Sequence, residues 1–134
     1  AHLLPHPVAE SFSLFDQEII PIPVQHGTVV TYGYRIQNFG YVPDVKVLPE
    51  ASLQLLQGVD LLIIDALSFN PGHPTHFAVQ QAIEVSEKLQ PKATYLTHIM
   101  HRLDHRYFSE QCREQGIDLP DNIELCFDGQ VLDL

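Results

Sequence analysis

The chain has 134 residues and a mass of 15.2 kDa, which indicates a single domain over residues 1–134, since domains most often have about 100–150 residues. Its hydrophobic fraction of 45% argues against a disordered chain, and no apolar run approaches the ~20 residues of a membrane span. The net charge of −10 disfavours nucleic acid as a partner, and two cysteines, Cys112 and Cys126, are typical of a reduced, cytoplasmic protein rather than a disulfide-linked one.

The N-terminal third of the chain predicts a β-meander. Strand patterns cover residues 11–15, 19–24, 28–36 and 39–42, with a turn at 37–38. The second pattern contains Pro21 and Pro23, which cannot donate to a neighbouring strand, so we expect it at a sheet edge or interrupted. In the third, Tyr32, Tyr34 and Ile36 share one face.

Helices and strands alternate from residue 50 onwards. The predicted helices cover residues 50–57, 76–90 and 105–115, and the predicted strands cover 59–66, 93–97 and 123–127. Thr75 and Asp104 are the expected N-caps of the second and third helices. The strand over 59–66 is almost continuously apolar, which is typical of a strand covered on both faces. A turn at 128–129 predicts a last strand over 131–134, so the fold class is α/β with a mixed sheet.

Four residues that can bind metals or move protons lie at predicted strand ends or at a helix start. His26 and Asp44 follow apolar runs, His76 opens the predicted second helix, and His98 follows the strand over 93–97. Imidazole and carboxylate are standard ligands of Zn²⁺ and Mn²⁺, and open α/β sheets usually bind ligands at strand ends. Taken singly, each histidine is also explained by a hydrogen-bonded or surface side chain, and Asp44 by a turn cap.

Four runs that contain these residues, taken in order, resemble a known family. They are Pro23-Val24-Gln25-His26-Gly27, Tyr41-Val42-Pro43-Asp44-Val45, His73-Pro74-Thr75-His76-Phe77 and Tyr95-Leu96-Thr97-His98-Ile99. Residues 19–134 resemble the C-terminal half of a metallo-β-lactamase-fold metal-dependent hydrolase, and the Pro-Thr-His run narrows the resemblance to the branch of phosphoribosyl cyclic phosphate phosphodiesterases. The resemblance implies part of an αββα sandwich, a mixed sheet with helices packed on it, whose N-terminal half is missing.

This resemblance also implies a role for each of the four residues. His26 would bind a first metal, His98 a second metal, and Asp44 would bridge both. His76 would face the substrate phosphate as general acid or transition-state stabiliser. The implied cofactors are two divalent metals, Mn²⁺ or Zn²⁺, and the implied reaction is hydrolysis of a small or cyclic organic phosphodiester, as in phosphonate metabolism, by a metal-bound hydroxide.

The chain departs from the family pattern in its N-terminal part. The family's His-x-His-x-Asp-His cluster, which supplies most ligands of both metals, has no counterpart in this sequence. We therefore expect this chain alone to bind few or no metal ions and to be inactive. Because it begins Ala1-His2, has no leader pattern and has Met100 as its only methionine, we expect a processed chain or a piece of a longer one.

Three further residues have weaker signals. Asp65 ends the predicted buried strand and could orient a ligand histidine or cap the following loop. His73 could support the ligands or lie on the loop surface. The family usually has a histidine at the position of His101, which could also orient ligands, and on a continuous helix His101 and His105 would share a face with His98.

Two other functions stay open at this point. A nuclease of the same superfamily that processes tRNA ends has a similar helix-opening histidine, although the net charge of −10 disfavours RNA. A non-catalytic α/β module that binds a partner or forms a homo-oligomer is favoured by the missing ligand cluster, because a face left uncovered would be apolar and self-associating. The expected partner of the leading hypothesis is a small phosphodiester, without membrane contact.

Overall fold

The structure is a computed structural model that describes residues 7, 8 and 10–132. Its strands are β1 (Phe12–Leu14), β2 (Gln17–His26), β3 (Val29–Ile36), β4 (Phe39–Val42), β5 (Leu61–Asp65), β6 (Ala93–Thr97) and β7 (Ile123–Leu125). Its helices are α1 (Glu50–Leu55), α2 (Val79–Leu89) and α3 (Phe108–Glu114). Every strand and helix predicted over residues 11–127 is therefore present, with bounds that differ by a few residues.

The seven strands form one sheet in sequence order. Strands β1 to β4 pair antiparallel, as in the predicted meander, whereas β4 to β7 pair parallel, so the predicted mixed sheet is confirmed. Because β2 and β4 are both antiparallel to β3, they run in the same direction. The carboxyl ends of β2, β4, β5, β6 and β7 therefore lie at one edge of the sheet, where open α/β sheets bind ligands.

Strand β2 is continuous despite Pro21 and Pro23, so the expected interruption is wrong. It lies between β1 and β3, but β1 pairs only with residues 17–19. The backbone N–H and carbonyl groups of Gln25 bond to residues 46 and 47 rather than to β3. Residues two apart in a strand direct their backbone N–H and carbonyl groups to the same side. The prolines therefore also face away from β3, on a local edge of the sheet, where a missing N–H breaks no bond of the β2–β3 ladder.

The core lies on one face of the sheet, and the helices cover that face. Residues in register across four parallel strands are each at most 5% exposed, namely Val42, Ile64, Leu96 and Leu125. Helix α2 packs against β5 and β6 with an apolar face that includes Val79, Ile83 and Leu89. On the other face Tyr41 is 39% exposed and Ile63 is half-buried, whereas Leu61 and Asp65 are buried, so this second face of β5 is covered at its two ends and only partly at its middle.

Helix α2 begins later than expected. It begins at Val79 rather than at residue 76, because Ala78 is extended and forms a parallel bridge with Ser68. In this bridge Leu67 donates to the carbonyl of Phe77 at 3.0 Å and Val79 donates to that of Ser68 at 2.9 Å. With 11 residues α2 is the longest helix, and no helix in the described part of the chain is long and apolar enough to cross a membrane.

Helix α3 also begins later, at Phe108. Asp104 instead closes a turn, in which its carboxylate accepts the N–H of Arg106 at 2.9 Å. Residues 98–107 therefore form turns, and His98, His101 and His105 do not share a helix face. The predicted closing strand over 131–134 is wrong for residues 131 and 132, which pair with no strand, while 133 and 134 lie outside the described residues.

Candidate metal centre

The candidate residues meet at the sheet edge where five strands end. His26 is the last residue of β2 and Asp65 is the last residue of β5. His98 follows β6 directly, and Asp44 lies two residues beyond β4. His76 does not open a helix, as the sequence predicted, but reaches the same edge from the loop between β5 and α2.

His26 is held in the tautomer that leaves its Nε2 atom unprotonated. Its Nδ1 atom donates to the carbonyl of Thr75 over 2.8 Å, since a carbonyl can only accept. The neutral imidazole then has a free lone pair on Nε2, which is the form that binds a metal. Gly27 permits this approach: its φ is +64°, and a Cβ there would lie 2.9 Å from Cγ2 of Thr75.

Asp44 and His98 face each other at the open side of the site. Nε2 of His98 lies 3.4 Å from Oδ1 of Asp44, and the two side chains are 41% and 42% exposed. Asp44 also lies close to His26, because donor atoms of His26, Asp44 and His76 are all within 4.8 Å of one another. His98 has a φ of +58°, in the left-handed region that costs an L-residue about 1–2 kcal/mol, and such strain clusters at functional sites.

A buried hydrogen-bonded pair, Asp65 and His76, anchors the loop histidine. Asp65 is 0% exposed, and its Oδ2 atom accepts the Nδ1–H of His76 at 2.8 Å and the N–H of Val45 at 3.0 Å. Burial raises the pKa of Asp65, and the hydrogen bonds from Val45 and His76 oppose this shift. The second oxygen, Oδ1, is buried without a hydrogen-bond partner in the described part of the chain. The bond to Oδ2 fixes the His76 ring and leaves its Nε2 atom to bind or transfer a proton.

The His76 ring lies between the other two imidazoles. Its centroid is 4.2 Å from that of His98, in a stacked arrangement, and 4.6 Å from that of His26, edge-on. Donor atoms of Asp65, His76 and His98 form a second group within 4.8 Å. The site therefore consists of two overlapping groups of donors with His76 at their centre.

Lys46 fastens the loop that carries His76. Its ammonium donates to the carbonyls of Pro71 and His76 at 2.8 and 3.3 Å and to Oε1 of Gln81 at 3.3 Å, which uses all three of its N–H groups. Lys46 therefore joins the segment of Asp44 to the loop of His76. The sequence reasoning did not find Lys46, because a single lysine in a loop carries no periodic or motif signal.

The more weakly predicted residues lie at different places. His73 is next to the cluster, with its ring centroid 5.2 Å from that of His76. His101 is exposed and belongs to neither donor group. The Nε2 atom of His105 donates to the carbonyl of Cys126 at 2.7 Å, and His105 belongs to neither donor group. The supporting roles predicted for His73 and His101 stay predictions.

The donor chemistry of this site fits divalent metals of the Zn²⁺ or Mn²⁺ type. His26 and His98 offer imidazole nitrogens, Asp44 offers a carboxylate, and these three residues would hold the metals. His76 already uses Nδ1 for Asp65. Three donors are fewer than two four-coordinate ions require, so the described residues supply one part of such a centre.

The fold and the site agree with the comparisons to known proteins. A sequence profile of the β-lactamase superfamily domain matches residues 2–99, so the chain belongs to this superfamily. Among solved structures, a diphosphatase from the PhnP family is 41% identical and superposes on 96% of this chain with a TM-score of 0.85. The predicted resemblance to a metallo-β-lactamase-fold hydrolase is therefore confirmed, and so is the fold class.

Other similar proteins are more distant. The metallo-β-lactamase fold protein YhfI from Bacillus subtilis is 14% identical over 92% of this chain, with a TM-score of 0.71, and supports the fold alone. The chain spans about half the length of these two structures, 48% and 52%. A curated relative, an octanoyltransferase from Porphyromonas gingivalis, is 27% identical over 90 residues, which are 67% of this chain and 18% of that protein.

Proposed function

We propose that this chain is the C-terminal part of a metal-dependent phosphodiesterase that hydrolyses a small or cyclic organic phosphodiester. The observation that carries the proposal is the convergence of His26, Asp44 and His98 around an imidazole, His76, that a buried carboxylate anchors. When bound, two divalent metals would supply an acidified water and neutralise charge on the phosphate.

The residues of this chain have separate tasks in that reaction. Asp44, His98 and the free Nε2 atom of His26 would hold the metals. His76 faces the phosphate through Nε2 and, when protonated, donates its proton to the leaving alkoxide. Asp65 keeps the ring of His76 in place, since its carboxylate accepts the Nδ1–H at 2.8 Å.

The test uses the complete protein with Mn²⁺ or Zn²⁺ and 2′,3′-cyclic AMP as substrate, because its leaving group is an alkoxide that requires a proton, unlike 4-nitrophenolate. Asp44→Ala and His98→Ala should abolish both metal content, measured by elemental mass spectrometry, and turnover. His76→Ala should keep the metals and lower turnover by about 10²–10⁴-fold, which is typical of a general acid. His105→Ala is the matched control outside the donor groups. Full turnover in His76→Ala would contradict the role of that histidine.

A diphosphate is a second candidate substrate. It is favoured by the similarity to the PhnP-family diphosphatase, because cleavage of a P–O–P bridge makes the same demands on the site as cleavage of a diester: charge neutralisation and a protonated leaving oxygen. Phosphate release from inorganic diphosphate, measured in parallel with the diester assay, separates the two. A precursor tRNA in the same series tests the nuclease alternative.

A further inference from the structure

A cavity of about 490 Å³ adjoins the candidate metal centre. It lies between the loop that follows β5 and the turns that follow His98, and the end of α3 closes it. Its apolar walls include Leu67, Phe69, Met100 and Leu103. His73 also lines the cavity, and its ring centroid is 5.2 Å from that of His76. A molecule held at His76 can therefore extend past His73 into the cavity.

The charge of this cavity is unusual for so acidic a chain. No aspartate or glutamate is among its lining residues in the described part of the chain, although the sequence has 17 acidic side chains. Arg102 lines the cavity and forms no ion pair with a described residue. The other cation near the centre, Lys46, already donates to three acceptors. Arg102 is therefore the cation available to a ligand.

His73 adds a second donor to the same cavity. Its Nδ1 atom accepts backbone N–H groups from Thr75 and His76, so the proton of the neutral ring is on Nε2. A guanidinium fork and an imidazole N–H are donors that match the oxygens of a carboxylate or phosphate group. The uncharged polar residues Ser68, Asn70 and Gln115 also line the cavity. Apolar and uncharged polar walls, with these two donors and no carboxylate, suit an organic chain that ends in an anion.

We infer that this cavity binds one alcohol part of the substrate, and that Arg102 and His73 recognise a carboxylate or phosphate group which that part carries. The inference rests on the proposed function, which places the scissile phosphate at His76. Arg102 is then a specificity residue: it binds a group remote from the reacting bond and distinguishes anionic from neutral esters.

The test compares two esters of matched length, 4-nitrophenyl butyl phosphate and 4-nitrophenyl 3-carboxypropyl phosphate. Binding is measured by calorimetry in the complete, metal-free protein, and kcat/KM is measured separately with Mn²⁺. The variant is Arg102→Met. The control is Arg106→Met, because Arg106 lies in the same segment but pairs with Asp104 at 3.2 Å and does not line the cavity.

The carboxypropyl ester should bind about 10–100-fold more tightly than the butyl ester, as expected for a charge-assisted hydrogen bond. Arg102→Met should bring this ratio to about one without changing the affinity for the butyl ester, and Arg106→Met should leave the ratio unchanged. A ratio near one in the unaltered protein, a ratio that survives Arg102→Met, or equal loss of both esters would overturn the inference. Absent turnover with a preserved binding ratio would instead contradict the proposed function.

Discussion

Two replacements of Asp65 test separately the effect of its negative charge and the effect of its hydrogen bonds. Both hydrogen bonds of this side chain, from Val45 and from His76, end on the same oxygen, Oδ2. An asparagine with its amide oxygen at that position accepts both bonds and places its NH₂ group where Oδ1 lies without a partner. Asp65→Asn therefore removes the negative charge and keeps the contacts, whereas Asp65→Ala removes both.

The magnitudes follow from these contacts. A hydrogen bond to a charged group contributes about 1.5–3 kcal/mol and a neutral one about 0.5–1.5 kcal/mol. Asp65→Asn should therefore weaken the hydrogen bond between residue 65 and protonated His76 by about 1–1.5 kcal/mol. This corresponds to a loss in turnover of about tenfold. Asp65→Ala leaves the N–H of Val45 and the Nδ1–H of His76 unpaired, and each buried unpaired donor costs about 1–3 kcal/mol.

Urea unfolding and steady-state turnover of the complete protein check both statements. Asp65→Asn should lower turnover and should lower the free energy of unfolding by about 1–3 kcal/mol, because it buries an NH₂ group at the position of Oδ1, which has no partner, and Asp65→Ala should lower that free energy by about 2–6 kcal/mol. Asp60→Asn is the matched control, since Asp60 is a half-buried aspartate that pairs with Lys92 at 3.0 Å, accepts from Asn38 at 2.8 Å and belongs to neither donor group. Equal stability losses in Asp65→Asn and Asp65→Ala, or unchanged turnover in Asp65→Asn, would refute this reasoning.

Three further predictions concern other buried or strained groups. The hydroxyls of Ser86 and Thr94 bond each other at 2.7 Å in the core, so Ser86→Ala should cost about 1–3 kcal/mol in urea unfolding and Ser86→Ala with Thr94→Val much less; additive losses would argue against this pairing. The φ of +58° at residue 98 is strained for alanine but not for glycine, so in urea unfolding His98→Gly should have a free energy of unfolding about 1 kcal/mol higher than His98→Ala. The reverse order would contradict backbone strain at this residue. Burial raises the pKa of Cys112 to about 11 from an ordinary 9.0, so as the pH rises the thiol loses its proton in the unfolded chain before it does in the folded one. Between these two pH values the free energy of unfolding should therefore fall more steeply in the unaltered protein than in Cys112→Ala. Parallel pH profiles of the two proteins would contradict this prediction.

The sequence predicts the sheet well, because strands are marked by local alternation and by apolar runs. It does not predict where helix α2 begins. Thr75 has the side chain of an N-cap, but Ala78 forms a parallel bridge with Ser68 and is extended, so the helix cannot begin before Val79. The position of His76 in a loop therefore depends on backbone hydrogen bonds to a segment ten residues earlier, which no periodic pattern reveals.

The convergence of the candidate ligands could be expected from strand ends alone, because parallel strands place their carboxyl ends at one edge. The sequence does not reveal which residues hold the candidate ligands and His76 in position. Asp65 has a signal, its place at the end of an apolar strand, but its partner is chosen by the path of the loop. Lys46 and Arg102 have no local sequence signal. Their roles follow only from the structure, in which Lys46 donates to three acceptors and Arg102 lines the cavity without an ion-pair partner among the described residues.

The two prolines of β2 have a consequence for the solution behaviour of the protein. Beyond residue 19, no strand among residues 10–132 pairs with β2 on the side away from β3 until Val47 bridges Gln25. An open edge of this kind can recruit a strand from another molecule and start aggregation. Here the N–H donors that an incoming strand would need at 21 and 23 do not exist, and the Ser52 hydroxyl already occupies the carbonyl of Pro23. Pro21 and Pro23 thus prevent strands of other molecules from pairing with this exposed part of the β2 edge.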